Sequence, residues 1–262
     1  MALPSSGAIS LNQMHVEAAG SGVSGTTVSL NDSDIRGLIG KGSSTDMNFA
    51  EWYGSDSVET VSYDLIGGGG GGGSGMNNGA GTGGEVDGGD GGHSSFTISH
   101  SGATILGRTS LGGTGGAASS LDHSADSSGE ASAFGAGGAD SNKQQNGFAA
   151  PSTSYGAGGG GGGGRRQTNA FGQVYNTDPS GAGGSAADRN QGTSSVNIYT
   201  GSVLSIIVGA KGIGGVDPNG GTTGGNGATG RVSITVGGST YTYTSPGTYA
   251  VYLKWTTLHQ KN

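Results

Sequence analysis

The chain contains 262 residues, of which 62 are Gly and none is Cys, and its formal net charge is −7. With only 5 Pro and no continuous Gly-X-Y repeat it is not a collagen, and it has no thiols for disulfides or zinc and no visible basic patch for nucleic acid. No apolar stretch approaches the roughly 20 residues of a membrane-spanning helix, and no signal peptide is recognised at the start. Because large side chains are too few for an ordinary core, we expect the glycine backbone to pack unusually or to be disordered.

The first predicted region, residues 1–65, has a conventional composition. Ile9 and Leu11 alternate around Ser10 and predict a strand, and the β-branched run at 26–30 predicts a second. A short helix is predicted over 31–40, with Asn31 as N-cap and Gly40 at its end. Its apolar face and the aromatic cluster that follows comprise Ile35, Leu38, Ile39, Phe49, Trp52 and Tyr53.

The second region, residues 66–230, is dominated by glycine blocks. Between 209 and 230, seven of the eight positions at every third residue are Gly. A period of three matches a polyproline II backbone, and a bare glycine stripe would let neighbouring backbones approach and hydrogen-bond. The alternative is a series of flexible linkers, which would leave the strand predicted from the apolar run at 203–208 without a buried partner.

Strands are predicted where apolar residues alternate, at 94–100 within the glycine-rich region and in the third region, residues 231–262. In the third region Val232, Ile234 and Val236 alternate, and Gly237-Gly238 predicts a two-residue hairpin turn.

Motifs for chemistry are largely missing. There is no G-x-S-x-G nucleophile elbow, and GLIGKG at 37–42 has Ile35 where a phosphate loop would begin with Gly. The five His are scattered without ligand spacing, and no pair of carboxylates suggests an acid–base couple. We therefore predict a binding protein and not an enzyme, with no catalytic residue, no metal site and no cofactor.

Five polar segments between the glycine blocks combine aromatic rings with Asn, Ser and Gly, a composition typical of antibody loops. They cover 117–134, 139–155, 165–180, 185–194 and 216–219. Phe134 and Tyr155 lie beside glycine blocks and are expected to pack locally, whereas Phe148, Phe171 and Tyr175 lie within segments and are expected to be exposed for recognition.

The sequence resembles the receptor-binding adhesins at the tips of the long tail fibres of T-even-type bacteriophages. ISLNQMHVEAAG (9–20), SLNDSDIRGLIGK (29–41) and MNFAEWYG (47–54) are similar to a short N-terminal module common in phage tail proteins. The alternation of glycine blocks with polar segments from about 112 to 225 is similar to the glycine-rich motifs and hypervariable segments of that family.

The resemblance implies a fold class and a location. The fold is an irregular, glycine-rich, layered polyglycine II helix sandwich with a small N-terminal α+β attachment domain and C-terminal β-strands. Residues 1–65 form the fibre-attachment domain, 66–230 the sandwich with its loops, and 231–262 a C-terminal β segment of unassigned role beyond residue 250. The resemblance further implies that the protein is expected in the virion, one copy at each tip of the long tail fibre, where it would cap the trimeric distal fibre protein and recognise a bacterial outer-membrane protein. It would thereby set host specificity during attachment and viral entry into the host cell.

The resemblance also assigns residues. Fibre attachment falls on Ile35, Leu38, Ile39, Phe49, Trp52 and Tyr53, for which an internal mini-core is the alternative. The receptor-binding loops contribute Asp122, His123, Asn142, Lys143, Gln145, Phe148, Asn169, Phe171, Tyr175, Asn176, Asp188, Arg189, Asp217 and Asn219. Two other functions remain open: a fibre-assembly chaperone that leaves the virion, and a fibrous or ice-binding polyglycine protein with a flat Thr-bearing face.

Overall fold

The computed structural model describes most of the chain between residues 3 and 253. The described residues are 3–19, 28–39, 41–42, 45–52, 58–75, 86–100, 102–118, 129–138, 146–162, 166–168, 174–177, 181–198, 202–216 and 222–253. The helices are α1 (Leu11–Ala19), α2 (Ser33–Gly37) and a 3-10 helix (Phe49–Trp52). The strands are β1 (Val58–Ile66), β2 (Ser94–His100), β3 (Ala103–Ser110), β4 (Arg166–Thr168), β5 (Val174–Thr177), β6 (Arg189–Asn197), β7 (Val203–Val208), β8 (Arg231–Val236), β9 (Ser239–Tyr243) and β10 (Gly247–Tyr252).

Two four-stranded antiparallel sheets share one apolar core. The first has the order β6-β1-β8-β9 and the second β10-β7-β2-β3, while β4 and β5 pair separately. Alternate residues of each strand face inward, so that Val61 and Leu65 of the first sheet pack with Phe96, Ile98 and their neighbours of the second. The outward positions of the strands are mainly Ser and Thr, which is the pattern of sheets with one buried and one solvated face.

The helices before β1 have a core of their own. Met14, Ile35 and Trp52 are fully buried together with Leu3, and the indole N–H of Trp52 donates to the carbonyl of Ile35 at 3.2 Å. Helix α1 begins with a capping box, in which Ser10 N–H donates to Gln13 Oε1 and Gln13 N–H donates to Ser10 Oγ. The predicted strand at 9–11 is therefore wrong, because this reciprocal cap starts a helix at Leu11.

The glycine-rich segments run side by side as extended chains that hydrogen-bond to one another. Amide groups of the central segment, 67–75, donate to three neighbouring segments in turn and return to the same one at every third residue. Gly68, Gly71 and Ser74, for example, donate to Gly92, Gly89 and Val86. Its carbonyl groups accept from three further segments. We call this assembly the glycine bundle. Residues 67–75 form its centre, and six segments surround them in a ring in which each segment is hydrogen-bonded to the next. In order around the ring, the six segments are 86–92, 112–117, 181–187, 156–162, 222–230 and 209–215.

Glycine is required in the bundle because the backbones approach too closely for a side chain. A Cβ atom on Gly68, Gly71 or Gly72 would lie 1.9, 2.2 or 2.1 Å from the carbonyl oxygen of Ala210, Ile213 or Gly160. These neighbours are backbone atoms fixed by their own hydrogen bonds, so they cannot move aside as a flexible side chain would.

The fold class predicted from the sequence is wrong. Most regular secondary structure of the described residues lies in two antiparallel sheets with few helices, and not in a polyglycine helix sandwich with an N-terminal α+β domain. Strands β1, β3, β4, β5 and β6 are absent from the prediction, because the glycine count gives no indication of them. Strand β6 has hardly any apolar residue, and its pairing with all of β1 fixes it as an edge strand. In the described residues before Val58 there are helices but no strand.

The individual strands, the hairpin turn and the short helix predicted from the sequence agree with the structure to different degrees. The strands at 94–100, 203–208 and 232–236 are confirmed as β2, β7 and β8. The hairpin turn is also confirmed, with positive φ angles of 54° at Gly237 and 75° at Gly238. The short helix exists, but its N-cap is Asp32 and not Asn31, and it ends at Gly37. Of the predicted strand at 26–30, only 28–30 are described, and they are not in a strand.

Candidate functional site

The glycine bundle has two different ends. At one end its segments continue directly into the sheets, as Ile66 of β1 does into Gly67. At the other end, hydrogen bonds near the end of the central segment bring together residues that border the gaps in the described chain, for example Gly75 N–H to Thr222 O and Gly162 N–H to Gly73 O, both at 3.0 Å. We call this the distal end, marked by Gly75, Val86, Ala117, Gly162, Gly181, Gly215 and Thr222.

Backbone hydrogen bonds join the two flanks of chain segments that leave the bundle at the distal end. Gly181 N–H donates to Gly162 O at 2.9 Å across the segment 163–180, and Gly224 N–H donates to Gly215 O at 2.9 Å across 217–221. Ser74 N–H donates to the carbonyl of Val86, whose own N–H donates back to Ser74 Oγ at 2.8 Å. The scaffold thus holds these segment ends through backbone hydrogen bonds and through Ser74 Oγ.

Polar side chains accept amide hydrogens on the outside of the bundle. Asp87, Asp90 and His93 occur at intervals of three residues and accept the N–H groups of Ala118, Gly115 and Gly112 at 2.7, 2.8 and 3.0 Å. They take the place of the carbonyl groups that a further segment would supply. Asp87 and Asp90 belong to the motif EVDGGDGG, and this structural use is one that the sequence analysis did not identify.

Most predicted receptor-binding residues lie outside the described residues. These are Asp122, His123, Asn142, Lys143, Gln145, Asn169, Phe171, Asp217 and Asn219. Tyr175 and Asn176 belong to β5, which pairs with β4. Phe148 is described and 57% exposed, on a segment that packs against the distal half of the bundle.

Asp188 and Arg189 lie at the other end of the bundle, where it meets the sheets. Asp188 N–H donates to Leu111 O, and the Asp188 carbonyl accepts the hydroxyl of Ser110. Arg189 begins β6 and pairs with Asp64. The structure therefore does not bring these two residues together with Phe148.

The predicted fibre-attachment residues are divided between the interior and the surface of the N-terminal cluster. Ile35, Leu38 and Trp52 are buried in it, and Ile39 packs against it. Phe49 is 47% exposed, with its ring 5.5 Å from that of Trp52. Tyr53 lies outside the described residues. The attachment role of these residues stays a prediction. Among the described ones, Phe49 has the exposed ring that such a contact would use.

An ion-pair cluster connects three adjacent strands of the first sheet, β6, β1 and β8. Asp64 accepts from Arg189 Nε at 2.7 Å and from Arg231 Nη1 at 3.0 Å. The Phe134 ring lies 5.0 Å from both guanidinium groups and packs edge-on against Tyr155. This confirms the expected local packing of the two rings. The hydrogen bond from Arg189, helped by its charge and by Arg231, lowers the pKa of Asp64 although partial burial opposes the shift.

The lowered pKa of Asp64 predicts an acid-sensitive contribution to stability. A carboxylate with a depressed pKa in the folded state stabilises the fold above its unfolded pKa, and this contribution is lost as the pH falls through the folded pKa. We expect Asp64→Asn to lower the Tm at about pH 7 by more than it does at about pH 3, because the contribution of the carboxylate declines as the pH falls below its unfolded pKa of about 3.9. Thermal unfolding of both proteins at the two pH values tests this, and an equal Tm difference at both would contradict it.

Within the described ranges, no group of three or more His, Cys, Asp or Glu side chains is arranged to hold a metal ion. Of the helices in those ranges, none has the length and apolar character needed to cross a membrane. No family model, curated protein or solved structure matches the chain.

Proposed function

We propose that the protein is an adhesin at the tip of a bacteriophage long tail fibre, which recognises a bacterial outer-membrane protein through segments at the distal end of the glycine bundle. The observation that carries the proposal is where these segments are attached. The segments 163–180 and 217–221 begin and end at the distal end, 119–128 leaves it after Ala118, and 139–145 returns to it at Asn146. Four of the five segments proposed for recognition are thus attached there.

The direction of the chain supports a separation of attachment from recognition. The N-terminal residues precede Val58, which pairs with Asn197 at the end of the first sheet remote from the bundle. From there β1 leads through Ile66 into the central segment and towards the distal end. In this proposal the N-terminal cluster binds the trimeric distal fibre protein, and the opposite end of the molecule meets the host cell.

The energetics of the bundle also suit an adhesin. Backbone hydrogen bonds close the stems between Gly162 and Gly181 and between Gly215 and Gly224, so side chains between these stems can change without removing either bond. A few aromatic anchors are enough for specific binding, and several fibres on one particle would raise the overall affinity of weak individual contacts.

The location of the protein distinguishes an adhesin from an assembly chaperone. Particles of the phage that encodes the chain are purified, analysed by mass spectrometry, and labelled with antibodies against the full chain for electron microscopy. We expect the chain in the particles and the label at the distal fibre tips. Its absence from mature particles that carry complete fibres would contradict the proposal and favour a chaperone.

A further inference from the structure

Asn146 connects two chain segments that return to the glycine bundle at neighbouring points. Its side-chain Oδ1 accepts the N–H of Thr223 at 2.9 Å, and the N–H of the next residue, Gly147, donates to the Thr223 carbonyl at 2.7 Å. Asn146 follows the segment 139–145, and Thr223 closely follows 217–221. The pair of bonds therefore fixes the point from which the chain continues to Phe148.

The backbone of Phe148 is held firmly although its side chain is exposed. Its carbonyl oxygen accepts the N–H of Gly160 at 3.0 Å, and Ala150 N–H donates to Asn226 O at 2.9 Å. The same carbonyl oxygen lies only 2.0 Å from where a Cβ of Gly138 or Gly225 would be, so the backbone is closely packed there. The ring, in contrast, is 57% exposed. An apolar ring displayed on a hydrogen-bonded, closely packed backbone has less conformational entropy to lose on binding than one on an unpaired loop.

We propose that Asn146 is a positioning residue for partner binding, which acts by fixing the backbone that displays the Phe148 ring. This inference rests on the proposed function. The contact it implies on the partner, an outer-membrane protein, is a recess lined by apolar side chains that accepts one phenyl ring. Asn146 itself touches Thr223 and contributes to affinity through geometry, whereas Phe148 contributes the buried area.

Binding of the purified full chain to host cells tests the proposal with two variants of Asn146. Asn146→Ala removes the acceptor for Thr223 N–H, and we expect the Kd to rise about three- to tenfold, as for the loss of one hydrogen bond. Asn146→Asp keeps an Oδ acceptor, and we expect it to bind within about twofold of the wild type. Amide hydrogen exchange at Thr223 should accelerate in Asn146→Ala and stay close to the wild-type rate in Asn146→Asp.

A double-mutant cycle tests whether Asn146 affects binding through Phe148. In a Phe148→Ala background, Asn146→Ala should cause no further loss of affinity, because the ring that it positions is gone. Asp90→Ala is the matched control, because Asp90 Oδ1 also accepts one backbone N–H, that of Gly115 at 2.8 Å. Asp90 lies on segment 86–92, which is across the ring from 156–162. We expect this control to leave the Kd unchanged.

The outcomes separate the two proposals. Equal losses from Asn146→Ala with and without the Phe148 ring would overturn the positioning role, and so would an equal loss from Asp90→Ala. In both cases the wild-type chain still binds the cells and the proposed function stands. If the wild-type chain does not bind the host cells at all, the proposed function is contradicted and this inference is overturned with it.

Discussion

A Gly71→Ala variant is expected to fail to accumulate as folded, protease-resistant protein. The added Cβ would lie 2.2 Å from the carbonyl oxygen of Ile213 and 2.4 Å from its carbon, at the centre of the glycine bundle. Relief would require the segment 209–215 to move away, which would break the bonds from Gly212 N–H to Gly69 O and from Gly215 N–H to Gly72 O. We expect a loss of about 3 kcal/mol or more, a large part of the usual stability of a domain.

Two adjacent glycines in the outer ring provide the matched control. A Cβ on Gly88 would lie 2.0 Å from Gly71 O, whereas on Gly89 the nearest atom is Ile213 N at 3.4 Å. Gly88→Ala should therefore destabilise nearly as much as Gly71→Ala, and Gly89→Ala should change the free energy of unfolding by less than about 1 kcal/mol. Urea unfolding and limited proteolysis measure the difference. Similar stability of all three variants would show that the backbones do not pack as described.

How far the fold follows from the sequence depends on how local each signal is. Strand β8 alternates strongly in apolar character and is followed by the glycine pair at 237–238, whereas β7 is a short apolar run in which only Ser205 is polar. Both strands could therefore be predicted from neighbouring residues alone. Strand β6 has the sequence RNQGTSSVN, in which only Val196 is a large apolar residue. It becomes a strand because it pairs along the whole of β1, and that interaction spans more than a hundred residues.

Other errors concern signals that were present in the sequence. Ser10 and Gln13 have the spacing of a capping box, and recognising it would have placed the start of α1 correctly. The alternation of Val61, Tyr63 and Leu65 similarly indicates β1. Both patterns are short, and the glycine blocks beside them carry no comparable strand or helix signal.

The candidate site was only partly predictable. An exposed ring at Phe148 was expected from its position within a polar segment, and the structure leaves that ring 57% exposed. The roles of Asn146 and Asp87 as acceptors were not predictable, because each depends on which backbone N–H lies opposite, in a segment distant along the chain. Asp188 and Arg189 resemble loop residues in sequence, yet the register of β6 places them beside the sheets.

The second large effect is expected from the segment 163–180. We predict that replacing it with a Gly-Ser linker of equal length reduces binding to host cells at least about 100-fold, because Phe171 and Tyr175 are lost as anchors and one hot-spot residue is worth 2 kcal/mol or more. The stem bond from Gly181 N–H to Gly162 O remains possible, and the bundle loses no side chain. The Tm should therefore stay within about 3 °C of the wild type.

The adsorption rate of particles carrying this replacement tests recognition at the distal end most directly. A Gly-Ser replacement of 199–201, which connects β6 to β7 at the opposite end of the first sheet, is the control. We predict that the first replacement abolishes adsorption to the host while the fibres remain complete, and that the control adsorbs like the wild type. Normal adsorption of particles that lack the native segment 163–180 would contradict the prediction that this segment supplies the main recognition anchors.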